Sequence, residues 1–359
     1  MNRISFSTQA MRDPLFVLRE SSDGIVRLRA SDALRDALEE QFGFAGYVGA
    51  DENVQIARLK LSLSNLIGPW GVETLANLSA GRGHQGIVLF ENLPHERVDW
   101  SPLPGAPAHS AKATSLSEHL LLGFSAFFGD AYGVVSEGHR LVNDLIPSIA
   151  DIDRHTGNGS RRSLGLHTEN AALRFASPGR DYSPKALMLT GVSLQGEGGP
   201  MTPVAIASRA TALLDDWADE TLRGPCTMIA LPERHRLPGR PAEVGPVPVI
   251  LGARGAEEVI AAFYGDMMRP VSPRAEQALA QLRERLEEVA VELVIAPGML
   301  AYLVNGRVLH GRSDFEPAFD ADGRARRWIQ RVFVTGRLDG FLGSPASTDR
   351  VFDLALPGQ

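Results

Sequence analysis

Hydrophobic positions fall into two regimes along the chain. In the first, apolar residues recur at helical spacing. Val26 to Phe42 alternates charge with Leu and Ala in that way, and Val54 to Leu66 repeats it. Val72 to Ala80 predicts a further short helix, stopped by Gly81 and Gly83. Ser115 to Phe128 predicts an apolar helix with Ser115 as its cap and an acid, Glu118, three residues on. Gly86 to Phe90 predicts a short strand, and Pro102 to Ala113 a surface loop.

The second half changes period. Short β-prone runs recur at Ala186 to Val192, Val204 to Ile206, Thr227 to Leu231, Val247 to Leu251, Val291 to Ile295, Leu300 to Val304 and Ile329 to Thr335, punctuated by Gly, Pro and Asn. Two helical stretches interrupt them, Ser208 to Leu222 and Pro273 to Val289. The second has Ser272 as its cap, Pro273 at its first position, and Ala275, Leu279, Leu282, Leu286 and Val289 on one face. Many short strands at this spacing predict an antiparallel sandwich or barrel, not alternating β/α units. The expectation is one mainly-β domain with surrounding helices. Residues 1–130 would be a largely helical support, and 131–340 a double-stranded β-helix (jelly-roll) core.

Composition narrows the function classes. The 359 residues and 44% hydrophobic content allow a sizeable core. A net charge of −7 without a basic block argues against nucleic-acid binding. The single cysteine, Cys226, excludes an internal disulfide and any cysteine-built zinc or iron–sulfur site, and fits a reducing cytoplasm. Met1 to Leu18 carries no hydrophobic run, so neither a signal peptide nor a membrane span is expected. Oligomeric state is not legible, and a homo-oligomer stays open.

The chemistry concentrates in two motifs. His167-Thr168-Glu169 places an imidazole and a carboxylate two residues apart, on one face if the backbone is extended. A bare His-x-Glu is common by chance, and a histidine is more often a hydrogen-bonded or half-buried side chain. The company lifts the signal. Asn305-Gly306-Arg307-Val308-Leu309-His310-Gly311-Arg312 follows a strand, and Arg324-Ala325-Arg326-Arg327-Trp328-Ile329-Gln330-Arg331 comes next. Two histidines and one carboxylate on one face of an octahedron suit a ferrous ion that must also bind a cosubstrate and O₂. An arginine suits the far carboxylate of a dicarboxylic cosubstrate, through two parallel charge-assisted hydrogen bonds.

His-Thr-Glu, a distant His-Gly-Arg and then Arg-Trp-x-x-Arg together resemble the clavaminate synthase-like Fe(II)/2-oxoglutarate oxygenases, which include bacterial hydroxylases of free amino acids. The resemblance runs from roughly Phe124 to Gly336 and includes Tyr132-Gly133, Leu141 to Asp144 and Ser163 to Gly165. It implies His167, Glu169 and His310 as iron ligands, with Arg327 and Thr202 on the C5 carboxylate of 2-oxoglutarate. Arg331 would then hold the substrate carboxylate and Glu137 its ammonium. Asp266 would face the substrate side chain, with Asn158, Ser160 and Asn170 flanking the first ligand pair. On a strand Arg331 shares the face of Arg327; its bland alternative is a surface arginine. Thr202 could equally be a strand hydroxyl facing water, and Glu137 a turn carboxylate. Arg324 and Arg326 read as solvated loop charges.

The resemblance further implies hydroxylation at Cβ or Cγ of a free, basic L-amino acid, with Fe(II), 2-oxoglutarate and O₂ as cofactor and cosubstrates. Desaturation, cyclisation or epimerisation at the same iron, a carrier-bound amino acid, and a non-catalytic small-molecule-binding β-barrel are the competing readings.

Overall fold

The computed structural model describes residues 15–20, 22–46, 51–99, 111–194, 200–236, 241–319, 323 and 325–354. The segments 1–14 and 100–110, with most of the expected 102–113 loop, lie outside them, as does Arg324.

Two sheets face each other. The larger runs in the order Phe16–Glu20, Ile25–Ala30, Ile87–Glu91, Leu300–Val304, Ala186–Leu194, Arg327–Thr335, Asp130–Val134, Val351–Phe352, with Asn143–Leu145 also paired to Arg327–Thr335. The smaller runs Val291–Leu293, Thr202–Ile206, Val308–Arg312, Leu164–His167. Two mainly antiparallel sheets, with parallel pairs among the described strands only at Ile25–Ala30 with Ile87–Glu91 and Asp130–Val134 with Val351–Phe352, are joined by connections that pass from one to the other and form the double-stranded β-helix expected from the sequence. The turn Asn305-Gly306-Arg307 makes one such passage, and Gly306 at φ 85° takes the left-handed conformation it needs.

The β period explains why both faces of the large sheet are apolar. Val88, Phe90, Met188, Leu300, Tyr302, Val332 and Val334 point outward and pack against helices Glu52–Ser79 and Leu116–Phe128. The alternate residues Ile87, Leu89, Leu189, Ala301, Leu303 and Ile329 point inward and meet Val204, Ile206, Leu293 and Val308 of the small sheet. On the outer face of the small sheet, Leu166, Ala205 and Leu309 are covered by helices Ala207–Thr211, Asp216–Arg223 and Pro273–Val289. The layers are therefore helix, sheet, sheet, helix.

Helix Pro273–Val289 forms at its expected bounds, and the Ser272 hydroxyl accepts from the Ala275 N–H at 3.2 Å. Three expectations are corrected. Val26 to Phe42 is not one helix: Ile25–Ala30 is a strand and only Asp32–Phe42 is helical, capped by Ser31. The strand forms because both of its edges are paired, to Phe16–Glu20 and to Ile87–Glu91. Ser208 to Leu222 is broken into two helices, Ala207–Thr211 and Asp216–Arg223. Ser115 precedes its helix without a side-chain capping bond. The Ser117 N–H is instead taken by the remote Glu96 carboxylate at 3.1 Å, while Glu118 turns inward to Lys112 and Gln330.

Candidate metal centre

Between the sheets lies a cavity of about 300 Å³. On strand Val308–Arg312 the alternation sends Leu309 to the helix layer and Val308 to the inter-sheet core, so His310 faces inward. Antiparallel pairing sets His310 directly opposite His167, and their rings lie 4.4 Å apart, centroid to centroid, at 46°. Glu169 sits just past the end of strand Leu164–His167. The Thr168 N–H bonds Ala261 O at 2.8 Å and its hydroxyl bonds Val259 O at 2.5 Å, turning Thr168 away. Asn170 then adopts the left-handed conformation, φ 51°, and ends the extended run. The Asn305 amide clamps Glu169 from both sides. It accepts from the Glu169 N–H at 2.9 Å and donates to Glu169 O at 3.1 Å and Pro184 O at 2.8 Å.

The donor atoms of His167, Glu169 and His310 all lie within 4.8 Å of one another, and all three side chains are buried. The His167 Nδ1–H donates to Gly165 O at 2.9 Å, an assignment that leaves the Nε2 lone pair for the cavity. Burial, and then the neighbouring His310, hold the His167 pKa down at about 3, so the imidazole is neutral at pH 7. Burial pushes the Glu169 carboxyl up, but the Arg331 guanidinium and the His310 hydrogen bond outweigh it and bring the pKa to about 2. A neutral imidazole beside an ionised carboxylate is the protonation state a metal requires. The hard carboxylate with two imidazoles fits a ferrous ion with further positions free.

Beside this triad lies a second set of charges. Arg331 donates to Glu169 Oε2 at 2.8 Å and to Glu137 Oε2 at 3.1 Å. Arg234 donates to Glu137 Oε1 at 2.7 Å and to Asn170 Oδ1 at 3.1 Å, and His235 Nε2 lies 3.3 Å from each of those oxygens. Burial raises the Glu137 carboxyl, and Arg234 and Arg331 overcome it, holding the group well below its usual range. Arg327 and Arg331 share the inward face of strand Arg327–Thr335, and both line the cavity with Thr202.

The structure thus brings His167, Glu169, His310, Arg327, Thr202, Arg331 and Glu137 to one cavity. It does not bring Asp266 there: that residue is exposed on the turn after Tyr264, and Tyr264 lines the wall instead, its ring edge-on to His167 at 5.1 Å. Ser160 is buried off the cavity, its carbonyl accepting from the Phe315 N–H, while Asn158 two residues earlier is on the wall. Asn170 braces Arg234 and His235 without lining the cavity itself. Arg326 is half-buried. Sequence reasoning gave no role to Arg234, Asp144, Asp151 or Arg312, all wall residues. Arg312 could have been found, since it closes the His-Gly-Arg motif on the inward face of its strand. Glu233-Arg234-His235-Arg236 has no spacing that marks it.

No family model matches the chain. An L-asparagine oxygenase of Streptomyces coelicolor is 28% identical over 261 residues, covering 72% of this chain and 74% of that protein. An L-lysine 3-hydroxylase of Catenulispora acidiphila is 28% identical over 268 residues, covering 73% and 71%. Among solved structures, asparagine oxygenase in complex with Fe(II), 3-hydroxyasparagine and succinate superposes with a TM-score of 0.75 at 26% identity, over 92% of this chain and all of that one.

Proposed function

We propose, for this clavaminate synthase-like Fe(II)/2-oxoglutarate oxygenase, that the substrate is a free, basic L-amino acid hydroxylated at Cβ or Cγ. The observation that carries the reading is the Arg331–Glu137 pair, 3.1 Å apart inside the metal cavity. A guanidinium and a carboxylate side by side are the complement of a zwitterion, whose carboxylate and ammonium sit on one carbon. The similar proteins act, by their names, on L-asparagine and L-lysine.

His167, Glu169 and His310 would hold the ferrous ion. With 2-oxoglutarate and O₂ it supplies the redox chemistry that puts one oxygen atom into succinate, releasing CO₂, and the other into a substrate C–H bond. The rest is the work of the chain. Arg327, with the Thr202 hydroxyl, anchors the far carboxylate of the keto acid. Arg331 takes the substrate carboxylate and Glu137 its ammonium. Clamping both groups of the α-carbon leaves the side chain to extend across the metal face, so the nearest carbons are Cβ and Cγ. Tyr264 packs against His167 and helps to exclude water.

The wall acid Asp151 supports a basic side chain, whereas the Asp144 carboxylate is taken by Trp328 Nε1 and Gln330 Nε2 on the opposite face of the sheet, and Glu137 already neutralises Arg234. A cavity of about 300 Å³ is at the small end for ligand sites and suits a free amino acid over a carrier-bound one. No described helix is long and apolar enough to cross a membrane. The lone, buried Cys226 suits a reducing compartment, and we place the enzyme in the cytoplasm. The test is a screen of the common amino acids for substrate-dependent succinate release, with mass spectrometry for a product one oxygen heavier. Lysine, ornithine or arginine should couple best. Turnover only with a carrier-linked amino acid, or a product two hydrogens lighter, would overturn the reading.

A further inference from the structure

Arg312 is the most conspicuous cation in the cavity without an assigned task. It is 94% buried, only 6% of its surface remaining exposed, yet its Nε and Nη1 have no hydrogen-bond partner among the described residues. Its one contact of that kind is Nη2 to the Arg162 carbonyl at 2.7 Å. A buried guanidinium with idle donors is expensive, and burial lowers its pKa to about 10. Its position is defined. His310 pairs with Val204, and the ladder continues through the Ser313 N–H to Met201 O at 2.9 Å, setting Arg312 opposite Thr202. Arg312, Thr202 and Arg327 all line the cavity, and the guanidinium carbons of the two arginines stand 5.5 and 5.1 Å from the ring centre of Phe315.

We propose that Arg312 is a second cosubstrate-binding arginine, whose unused Nε and Nη1 donate to the far carboxylate of 2-oxoglutarate beside Arg327. The inference rests on the cosubstrate reading above and deepens it. The carboxylate would satisfy donors that the protein leaves idle and offset the burial of the charge. A site built this way favours a dicarboxylic keto acid over a monocarboxylic one by more than a single arginine would.

The bond to Arg162 allows a different role, in which Arg312 only props the segment before Ser163. The experiment must separate the two. Fe(II)-loaded protein is titrated anaerobically with 2-oxoglutarate and, separately, with 2-oxopentanoate, which keeps the keto acid and lacks the far carboxylate. The visible charge-transfer band reports binding without turnover. Arg312→Met should weaken 2-oxoglutarate by roughly 10- to 100-fold, the loss expected for charge-assisted bonds, and leave 2-oxopentanoate about as tight as in the wild type. Arg312→Lys, which keeps charge and length and guards against misfolding of the first variant, should show the same selective loss at smaller size. Equal weakening of both keto acids, or no change in either, overturns the inference alone. If the wild type shows no band with either ligand, the cosubstrate reading falls and this inference with it.

Discussion

Asn305→Ala tests how Glu169, the proposed iron ligand, is held. The Asn305 side chain makes three buried hydrogen bonds, to Glu169 N–H, Glu169 O and Pro184 O, at 2.9, 3.1 and 2.8 Å. It joins segments more than a hundred residues apart in sequence. A buried neutral hydrogen bond contributes about 1 kcal/mol net, so truncation should cost about 3 kcal/mol, and somewhat more because three backbone groups are left unpaired. The functional effect is separate. Glu169 lies past its strand, so without the clamp its backbone is fixed only by Thr168 before it and Asn170 after it. Loss of an outer support typically weakens a metal site by about 10- to 100-fold. Equilibrium urea denaturation of the metal-free protein reads the first effect. Anaerobic Fe(II) titration, at a temperature where the variant stays folded, reads the second. Asn305→Asp is the control: it keeps the acceptor for the Glu169 N–H but turns a carboxylate oxygen toward two carbonyls, and should be no better than Ala. Wild-type Fe(II) affinity in the folded Ala variant would refute the clamp, and wild-type stability of the Asp variant would refute the bond assignment.

Three further outcomes are expected. His310→Ala should abolish Fe(II) binding and turnover together, and full succinate formation by that variant would remove it from the ligand set. Arg327→Ala should raise the 2-oxoglutarate requirement by roughly 10- to 100-fold while changing the rate at saturation much less, as steady-state kinetics in the cosubstrate would show. The metal-free protein should lose stability on acidification. The folded-state pKa of His167 is depressed to about 3 from 6.5, so its contribution is fully present above about pH 6.5 and is lost as the pH falls toward 3. Denaturation curves at pH 7 and pH 5 check the sign, and higher stability at pH 5 in a His167→Gln background than in the wild type relative to pH 7 is the expected signature.

Legibility in the sequence followed the range of the forces involved. Strand Arg327–Thr335 was readable over Ile329 to Thr335 from its β-branched and aromatic residues, and a period of two carried back to Arg327 puts it on one face with Arg331. Helix Pro273–Val289 was readable because its cap and its apolar stripe are local. Ile25–Ala30 was not: Arg27 and Arg29 alternate with Leu28 and Ala30 over too few residues to separate a period of two from 3.6, and its pairing partners are remote. Glu118 looked like a capping acid because the sequence cannot show that Lys112 and Gln330 wait on its buried side. The candidate metal triad was legible as three residue types, but the reason His167 and His310 meet is a register between strands 143 residues apart, which no local pattern contains. Arg234 was invisible for the same reason, since its partners Glu137 and Asn170 come from two other parts of the chain.

The charges around the site form one connected system, and this bears on how binding events talk to each other. Arg331 donates to the proposed metal ligand Glu169 and to Glu137 at once. Glu137 in turn holds Arg234, which reaches Glu169 Oε1 at 3.8 Å. Among these four side chains each carboxylate therefore has a cation and each arginine an anion. The α-ammonium and α-carboxylate of an amino acid would add one charge of each sign to this network and so leave its balance undisturbed. Because Arg331 touches Glu169, a substrate carboxylate that drew its guanidinium, as proposed, would also change how much negative charge Glu169 offers a bound iron. Substrate and metal affinities would then be linked through that one side chain, and the linkage would be reciprocal.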